Sequence, residues 1–463
     1  MTDIFLNVPI RPKRTTLGLL ERYSTARHNI KFYYNASIAA SYTLPDSFTL
    51  PAKDYIYRAC DSLIQKHPIL SAIPVAEDTN ETYFARLPEV DLDQPVSFQE
   101  RTSAFPGSNE KDTELEALLN VQHNTLFTAP LPHWRLCVLL DAENERRFTA
   151  AFVFHHAIAD GTSAKAFHKT FLEALRTASE PSSETKRVVP SPSTPLLPNI
   201  EAVHPMTLTI PYMVRVLFKH KIWSWRDPGL WTGSEILMPS PTNMRHMVIP
   251  QSVATAFKQS CRQNSTTITA ALQVIVARAL FAQVSDAVSQ VQCGGALSSR
   301  RWLPDIITDD SIGVWIQDYN ESYMRSNITG DSFPWDEAKR SRKTIVNVLS
   351  LQGKNASPNM LKYINDFHQE LFMSSIGQQR KATFEMSNVG FLSNGSDSSE
   401  PQVGRMLFSQ SASVTGCATE VSVIMGGDGC LAMAFSWQKG VLDDDLVSST
   451  MESVEKELHG LVQ

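Results

Sequence analysis

Apolar residues recur along the chain with two different spacings, and the spacing changes from one segment to the next. Short, mostly apolar runs rich in β-branched and aromatic residues are typical of strands, and they fall at 82–87, 135–140, 148–154, 289–297, 382–387, 421–425 and 431–437. Apolar residues three or four positions apart are typical of helices, and they fall at 53–65, 112–121, 163–175, 267–283, 339–351, 360–372 and 443–458. Because the two kinds of segment interleave in both halves, the pattern predicts an α/β fold.

A polar stretch interrupts this alternation near the middle of the chain. Residues 177–198 are rich in Ser, Pro and Glu, which is typical of a linker. A chain of 463 residues is too long for one ordinary core. We therefore predict a first domain over residues 1–185, a linker or crossover over 186–240 and a second domain over 241–463.

Residues 210–225, IPYMVRVLFKHKIWSW, combine basic and apolar positions at helical spacing. The pattern predicts a basic amphipathic helix. Such a helix could lie on a membrane surface, but we expect one packed along the domain boundary instead.

The most distinctive segment joins a strand pattern to a helix pattern. Residues 148–154 predict a buried strand, which runs into His155 and His156 and then into Asp160 and Gly161. The residues after Gly161 have helical spacing. The pattern His-His-x3-Asp-Gly therefore occupies a strand-to-helix connection, where scaffolds often carry functional groups.

The residue types in this connection fit proton transfer. A neutral imidazole can accept a proton near pH 7, and we assign that role to His156. Asp160 is expected to fix the loop through an ion pair and backbone contacts, and Gly161 to allow a tight turn. The alternative is a buried core histidine beside an aspartate that caps a helix.

Composition narrows the function further. The chain has 42 Lys and Arg against 48 Asp and Glu, and the net charge of -6 disfavours nucleic acid as a partner. Its six cysteines show no metal-binding spacing, so we expect no metal and a reducing compartment. The first residues lack an apolar signal core, and no segment has membrane-spanning length, which together predict a cytoplasmic protein.

Other motifs are absent or have a simpler explanation. The stretch Gly427-Asp428-Gly429 with Ala432 formally matches a dinucleotide-binding fingerprint, but it lies between two strand patterns. A hairpin turn explains it better. The sequence contains no phosphate-binding P-loop, no GxSxG nucleophile motif and no HExxH zinc motif.

The His-His-x3-Asp-Gly motif is similar to that of the CoA-dependent acyltransferase superfamily, and the fungal alcohol acetyltransferase branch fits best. The resemblance extends from about residue 15 to about residue 440. Its other segments are LGLLERY at 17–23, RH at 27–28, FYYN at 32–35, HPIL at 67–70, PHWRL at 132–136, RRWLP at 300–304 with IG at 312–313, and SNVG at 387–390. The DFGWG motif of the plant branch is missing, and no segment identifies a CoA-phosphate site.

The resemblance implies two chloramphenicol-acetyltransferase-like domains with a channel between them that meets at His156. It also implies an acyl-CoA-dependent O-acyltransferase without a metal, acting as a monomer. The expected donor is acetyl-CoA or another acyl-CoA, and the expected acceptor is a small alcohol or a hydroxylated natural product.

The resemblance also assigns residues. His156 is the expected catalytic base, with His155 and Asp160 beside it in the motif. Arg300 is expected to pair with Asp160, and Arg301 is the second choice. Ser387 and Asn388 are candidates for binding substrate or a developing oxyanion.

Two alternatives stay open at this point. The same fold could catalyse a CoA-free condensation, forming an amide or closing a ring. A protein of a different class, a non-catalytic binding or membrane-associated scaffold, could also retain the motif.

Overall fold

The computed structural model describes residues 14–179, 184–221, 228–394 and 399–462. The strands of these residues are β1 (Arg14–Thr16), β2 (Ala36–Thr43), β3 (Ala72–Val75), β4 (Tyr83–Arg86), β5 (Glu89–Asp91), β6 (Val96–Glu100), β7 (Trp134–Leu140), β8 (Arg147–Phe154), β9 (Val188–Pro190), β10 (Thr242–Ile249), β11 (Gln290–Ser298), β12 (Ile316–Met324), β13 (Ala382–Phe391), β14 (Gln402–Gln410), β15 (Cys417–Met425) and β16 (Leu431–Gln438).

The α-helices of the same residues alternate with these strands. They are α1 (Leu19–Asn29), α2 (Ala52–Lys66), α3 (Thr113–Gln122), α4 (Gly161–Ala178), α5 (Ile200–Val203), α6 (Ile210–Lys221), α7 (Gln251–Gln263), α8 (Ile268–Phe281), α9 (Arg325–Ile328), α10 (Trp335–Ser350) and α11 (Asp444–Gly460). The interleaving confirms the predicted α/β class.

Two large sheets form the framework. The first has the strand order β14-β2-β8-β7-β6, and the second has the order β10-β16-β15-β13-β11-β12. Strand β14 comes late in the chain but pairs antiparallel with β2, so that Phe408 lies opposite Ile38. The second half of the chain thus supplies an edge strand to the sheet of the first half. The domain boundaries at 185 and 240 stay a prediction. Strand β14 lies in the predicted second domain by sequence but belongs to the sheet of the first domain.

Strand β8 is buried along almost its whole length because other elements cover both of its faces. Phe152 of β8 stacks on Phe167 of α4 with ring centroids 3.8 Å apart. This packing fixes the direction in which the chain leaves β8 and enters α4. The connection between them, residues 155–160, is therefore held at both ends.

The second sheet has one apolar face and one mixed face. Phe384, Met386 and Val421 belong to a core shared with α7, α8 and α11. On the opposite face, Ile424 and Ala434 join the core of the first half. Since side chains alternate along a strand, the residues between the apolar ones are turned toward the first half of the chain.

All seven predicted strands are confirmed, with bounds that differ by a few residues. Six of the seven predicted helices are confirmed as well. The segment 360–372 is the exception, because a 3₁₀ helix at Ser357–Tyr363 is followed by a π-helix at Phe367–Phe372. The predicted hairpin is confirmed: β15 and β16 pair antiparallel, and Gly429 has a φ of +76° in the turn.

The predicted linker is partly ordered. Strand β9, inside the segment 177–198, pairs with β5 of the first half, while residues 180–183 lie outside the described residues. The predicted amphipathic helix is present as α6, and its last predicted residues, 222–225, also lie outside the described residues. Ile210, Val214 and Phe218 of α6 are 77%, 58% and 47% exposed, so this stripe is not packed along the domain boundary.

Across the part of the chain that the structure describes, no helix is both long and apolar enough to span a bilayer.

Candidate active site

The histidine pair lies directly after β8. His155 is buried, whereas His156 retains partial exposure. Asp160 caps α4, because its Oδ1 accepts hydrogen bonds from the backbone N–H and the hydroxyl of Ser163 at 2.8 and 2.9 Å. The short connection therefore ends in a fixed helix start, which limits how far His156 can move.

Asp160 and Arg300 form a fully buried, bidentate ion pair. Arg300 Nη1 donates to Oδ2 at 2.8 Å and Nη2 donates to Oδ1 at 3.0 Å. The backbone N–H of Trp315 donates to Oδ2 as well, at 3.1 Å. Burial raises the pKa of Asp160, but the charge and hydrogen bonds of Arg300 and the N–H groups of Ser163 and Trp315 outweigh it, so the pKa is below its ordinary value.

This ion pair joins the two halves of the chain. Besides Arg300 and Trp315, Gly313 binds the loop, since its carbonyl accepts the Asp160 N–H at 3.1 Å. The pairing of Asp160 with Arg300 is confirmed, and the second choice, Arg301, is exposed. A buried charge pair of this geometry is a positional constraint on the loop.

His156 sits among aromatic and charged neighbours. Its ring lies 5.7 Å from the ring of Tyr33 in an edge-on arrangement, and the Arg27 guanidinium lies 3.9 Å from the centre of that same tyrosine ring. The Nδ1 atom of His156 is buried and makes no hydrogen bond. The ring is thus held by packing rather than by a partner that would occupy its nitrogens.

The surroundings keep His156 neutral. Burial lowers its pKa, and so does the positive charge of Arg27, while its own backbone and Asp160 act in the opposite direction. The net effect lowers the pKa of His156 to about 4. At neutral pH the imidazole is therefore unprotonated and able to accept a proton.

Gly161 is explained by close packing rather than by a tight turn. It is the first residue of α4, and a Cβ at this position would lie 2.6 Å from Cγ1 of Val389 on β13. The missing side chain lets α4 approach β13 of the second sheet.

We expect Gly161→Ala to lower the free energy of unfolding by about 1–3 kcal/mol, because overpacking forces neighbouring atoms apart. Chemical denaturation would measure the change. Val389→Ala removes the clashing methyl group, so the double variant should regain most of the loss. No recovery in the double variant would argue against this contact as the cause.

His155 points away from His156 into a cluster of histidines around Glu77. Glu77 lies 2.7 Å from His28 Nδ1, 3.5 Å from His133 Nε2 and 3.6 Å from His155 Nε2. Burial raises the pKa of Glu77, but the contacts with His155, His133 and His28 outweigh it and hold the pKa well below its ordinary value. Glu77 was not predicted, because it lies in a polar turn with no motif around it.

Three of these residues, His28, Glu77 and His155, are close enough together to suggest a metal site. The hydrogen bonds argue against one. The N–H of Phe127 donates to His28 Nε2, and the N–H of Ala157 donates to His155 Nδ1. In a neutral imidazole the proton then sits on the other nitrogen, which faces Glu77. Both rings therefore turn an N–H group rather than a lone pair toward the carboxylate, and the His28 N–H donates to it at 2.7 Å.

The two oxyanion candidates lie on opposite faces of β13. Ser387 is on the face turned toward the first half of the chain, together with Glu385. Asn388 is turned the other way: its Nδ2 donates to Thr269 Oγ1 at 3.0 Å and its Oδ1 accepts from the Gly390 N–H at 2.9 Å. The Asn388 amide is thus already occupied by hydrogen bonds within the protein, and Ser387 is the better placed of the two to bind an oxyanion.

The sequence analysis also missed two carboxylates of the second sheet, the half-buried Glu385 and the buried Glu420. Glu385 of β13 and Glu420 of β15 lie directly opposite each other in the register of the second sheet. Each occupies a polar position in an alternating strand pattern, so the sequence gave no reason to single it out. Their proximity follows only from the strand pairing.

Comparisons with known proteins identify the family of this chain. The sequence profile of the alcohol acetyltransferase family matches residues 16–457. A probable alcohol acetyltransferase of Aspergillus fumigatus, crmB, is 34% identical over 462 residues, which cover 95% of this chain and 98% of that protein. A second one, FCK4 of Fusarium pseudograminearum, is 24% identical and covers 96% and 94% of the two chains.

Solved structures share the fold at low identity. TRI3, a trichothecene 15-O-acetyltransferase from Fusarium sporotrichioides, has a TM-score of 0.72 at 13% identity and covers 97% of this chain and 94% of its own. The first condensation domain of the calcium-dependent antibiotic synthetase has a TM-score of 0.63 at 12% identity, with coverage of 97% and 96%. The predicted two-lobed acyltransferase fold is thereby confirmed. With the family profile spanning nearly its whole length, the chain belongs to the alcohol acetyltransferase family and is an acyltransferase.

Proposed function

We propose that this protein transfers an acetyl group from acetyl-CoA to a hydroxyl group of a small alcohol or natural product, with His156 as general base. The observation that carries the proposal is a neutral, partly exposed imidazole whose pKa is lowered to about 4. Because Nδ1 is buried, Nε2 is the nitrogen left to face a substrate.

The reaction needs no covalent enzyme intermediate. His156 removes the proton of the acceptor hydroxyl as the oxygen attacks the thioester carbon. The tetrahedral intermediate then expels the CoA thiolate, which takes up the proton that His156 holds. General base catalysis typically contributes about 10²–10⁴-fold, and holding both substrates side by side can contribute as much.

The other motif residues support this base. Asp160 and Arg300 position the loop through their ion pair, and we infer that His155 is structural because both of its ring nitrogens face protein groups. Ser387 is the residue that we propose to hold the developing oxyanion. None of these roles requires a metal.

Incubation with acetyl-CoA and a panel of alcohols, read by thiol release and mass spectrometry, tests the proposal. An acetate ester should form together with free CoA. The runner-up, a CoA-free condensation, draws support from the likeness to condensation domains. Calorimetry with CoA separates the two, since a CoA-free enzyme should bind none.

We expect the rate to stay constant on acidification until an unusually low pH is reached. A histidine with an ordinary pKa near 6.5 would lose its basic form below that pH, whereas His156 should stay neutral and active until the pH falls toward 4. A profile of kcat/KM against pH would show this.

Arg27→Gln provides the control for the pH profile. It removes one cause of the lowered pKa of His156, so the acidic limb should move to higher pH. A limb near pH 6.5 in the unaltered protein, or no movement in the variant, would contradict the assignment.

Cytoplasmic location and a monomeric state complete the proposal. All six cysteines are buried free thiols, which fits a reducing compartment. The exposed stripe of Ile210, Val214 and Phe218 on α6 is the observation that favours peripheral membrane contact. A non-catalytic binding or membrane-associated scaffold has less support, because His156 is neutral and partly exposed, as a general base must be.

A further inference from the structure

The inner face of the second sheet carries two acidic residues, Glu385 and Glu420, that have no basic partner within hydrogen-bonding distance among the described residues. Glu420 is only 3% exposed and Glu385 is half-buried. Within the described residues, neither carboxylate forms an ion pair. Burial raises the pKa of both carboxyl groups. Asp318 raises the pKa of Glu385 further, and Glu385 raises that of Glu420.

Positive charge nearby does not balance these acids. Arg27 lowers the pKa of both carboxylates, and Arg380 lowers that of Glu420, but the pKa of Glu420 remains well above its ordinary value. Ionising the pair therefore costs free energy in the empty protein. A cation placed between the two carboxylates would remove that cost.

Unpartnered polar atoms lie at the same place as the two acids. Oε2 of Glu420 and the hydroxyl groups of Ser422 and Ser436 are buried without a hydrogen-bond partner. Ser436 lies opposite Glu420 in the strand register, and Ser422 lies two residues further along β15 on the same face. Buried polar atoms are rarely left unsatisfied, so these groups are candidates for ligand contacts.

Small residues lie beside the acids. Gly294 of β11 lies opposite Glu385 in the register, and a Cβ there would stand only 3.8 Å from Glu385 Cγ. Ala434 lies opposite Ser422. The face thus combines acidic groups, hydroxyl groups and small side chains, which suits a small polar group of a ligand.

This acidic face adjoins the catalytic histidine. The positive charge of Arg27 acts on the pKa of Glu385, Glu420 and His156 alike. Tyr33 bridges the same gap, since its ring contacts both Arg27 and His156. A molecule whose hydroxyl group reaches His156 could therefore extend another group to the two carboxylates.

We propose that Glu385 and Glu420 form an acceptor subsite for a protonated amine, so that the preferred substrate is an alcohol that also carries a basic nitrogen. The inference rests on the proposed function and adds the chemical class of the acceptor. Hydrogen bonds to charged groups contribute more than neutral ones, and a charged subsite rejects a ligand that leaves its charge unpaired.

Two alcohols of equal shape test the subsite: dimethylaminopropanol and its carbon analogue isohexanol. The kcat/KM of the unaltered protein with acetyl-CoA should favour the amino alcohol by about 10-fold or more. Glu385→Gln and Glu420→Gln should each lower kcat/KM for the amino alcohol by a similar factor and leave that for isohexanol within about threefold. Equal rates for the two alcohols, or equal losses in the variants, would overturn the inference.

A matched control is available on the same sheet. Glu321 of β12 is also buried, but it lies opposite Cys293, on the helix-covered face, and pairs with Arg340. Glu321→Gln should leave the preference between the two alcohols unchanged. The Gln variants at 385 and 420 remove acids whose ionisation is costly in the empty protein, so they should melt no earlier than the unaltered protein.

Binding without turnover separates this inference from the proposed function. Saturation-transfer NMR detects weak binding of dimethylaminopropanol to the unaltered protein and to Glu420→Gln. Binding that is lost in the variant supports the subsite even if no alcohol is acetylated, a result that would refute only the proposed reaction. Equal binding to both proteins refutes the subsite whatever the activity.

Discussion

Replacing His156 by alanine is expected to lower kcat by about 10²–10⁴-fold, the range that general base catalysis typically contributes. The substitution removes the group that we propose to take the acceptor proton and return it to the leaving thiolate. Residual turnover should persist, because binding both substrates together does not depend on the imidazole. Steady-state kinetics with acetyl-CoA and an accepted alcohol would measure the loss.

The fold should survive this substitution. Nδ1 of His156 makes no hydrogen bond, so alanine leaves no orphaned donor or acceptor behind. The ion pair of Asp160 and Arg300 and the cap of α4 remain intact. We therefore expect unchanged circular dichroism and a small loss of stability from the missing contacts with Tyr33 and Phe154.

His459→Ala serves as the matched control, since His459 lies in the last turn of α11 and is only half-buried. Its turnover should equal that of the unaltered protein. Near-normal activity of His156→Ala would remove the proposed mechanism. A variant that is inactive because it is unfolded would show itself in the dichroism spectrum.

The local part of this site could be predicted from the sequence. Apolar spacing predicts the strand before His155 and the helix after Gly161, and these two elements together define where the loop lies. The partner of Asp160 came from a family resemblance, because no sequence pattern relates residues 140 positions apart. The cause of the glycine at 161 was mistaken, since the neighbour that requires it, Val389, comes from a distant strand.

Contacts made by strand pairing could not be predicted either, because the partners are distant in the sequence. Glu385 and Glu420 each look like an ordinary polar position of an alternating strand, and only the register of β13 and β15 makes them a pair. Likewise, β14 shows no sign in its own sequence of joining the sheet of the first half. Spacing along the chain predicts which face a residue occupies but not what lies opposite.

The second large effect is expected at the ion pair. Asp160→Asn should lower the free energy of unfolding by about 3–5 kcal/mol, because it leaves the Arg300 guanidinium buried without its counter-charge. Chemical denaturation measures the loss. Arg301→Leu is the matched control: the exposed neighbour should change stability by no more than about 0.5 kcal/mol.

A double variant separates the charge from the rest of the network. Arg300→Leu alone should also destabilise the protein, and Asp160→Asn combined with Arg300→Leu should lose less than the sum of the two single changes. Additive losses would mean that the two side chains do not act as a pair.

The pH dependence of stability offers an independent check on the ion pair. The pKa of Asp160 is lowered in the folded protein, so its contribution is complete above the ordinary aspartate pKa of about 3.9 and is lost as the pH falls through the lower, folded value. Asp160→Asn has no carboxyl group to protonate and should lose this part of the acid dependence. Because the pair fixes the loop that carries His156, kcat should fall in the same variant even under conditions in which the variant is fully folded. Unchanged stability and unchanged kcat together would show that the loop is held by its backbone contacts to Gly313 and Trp315 instead.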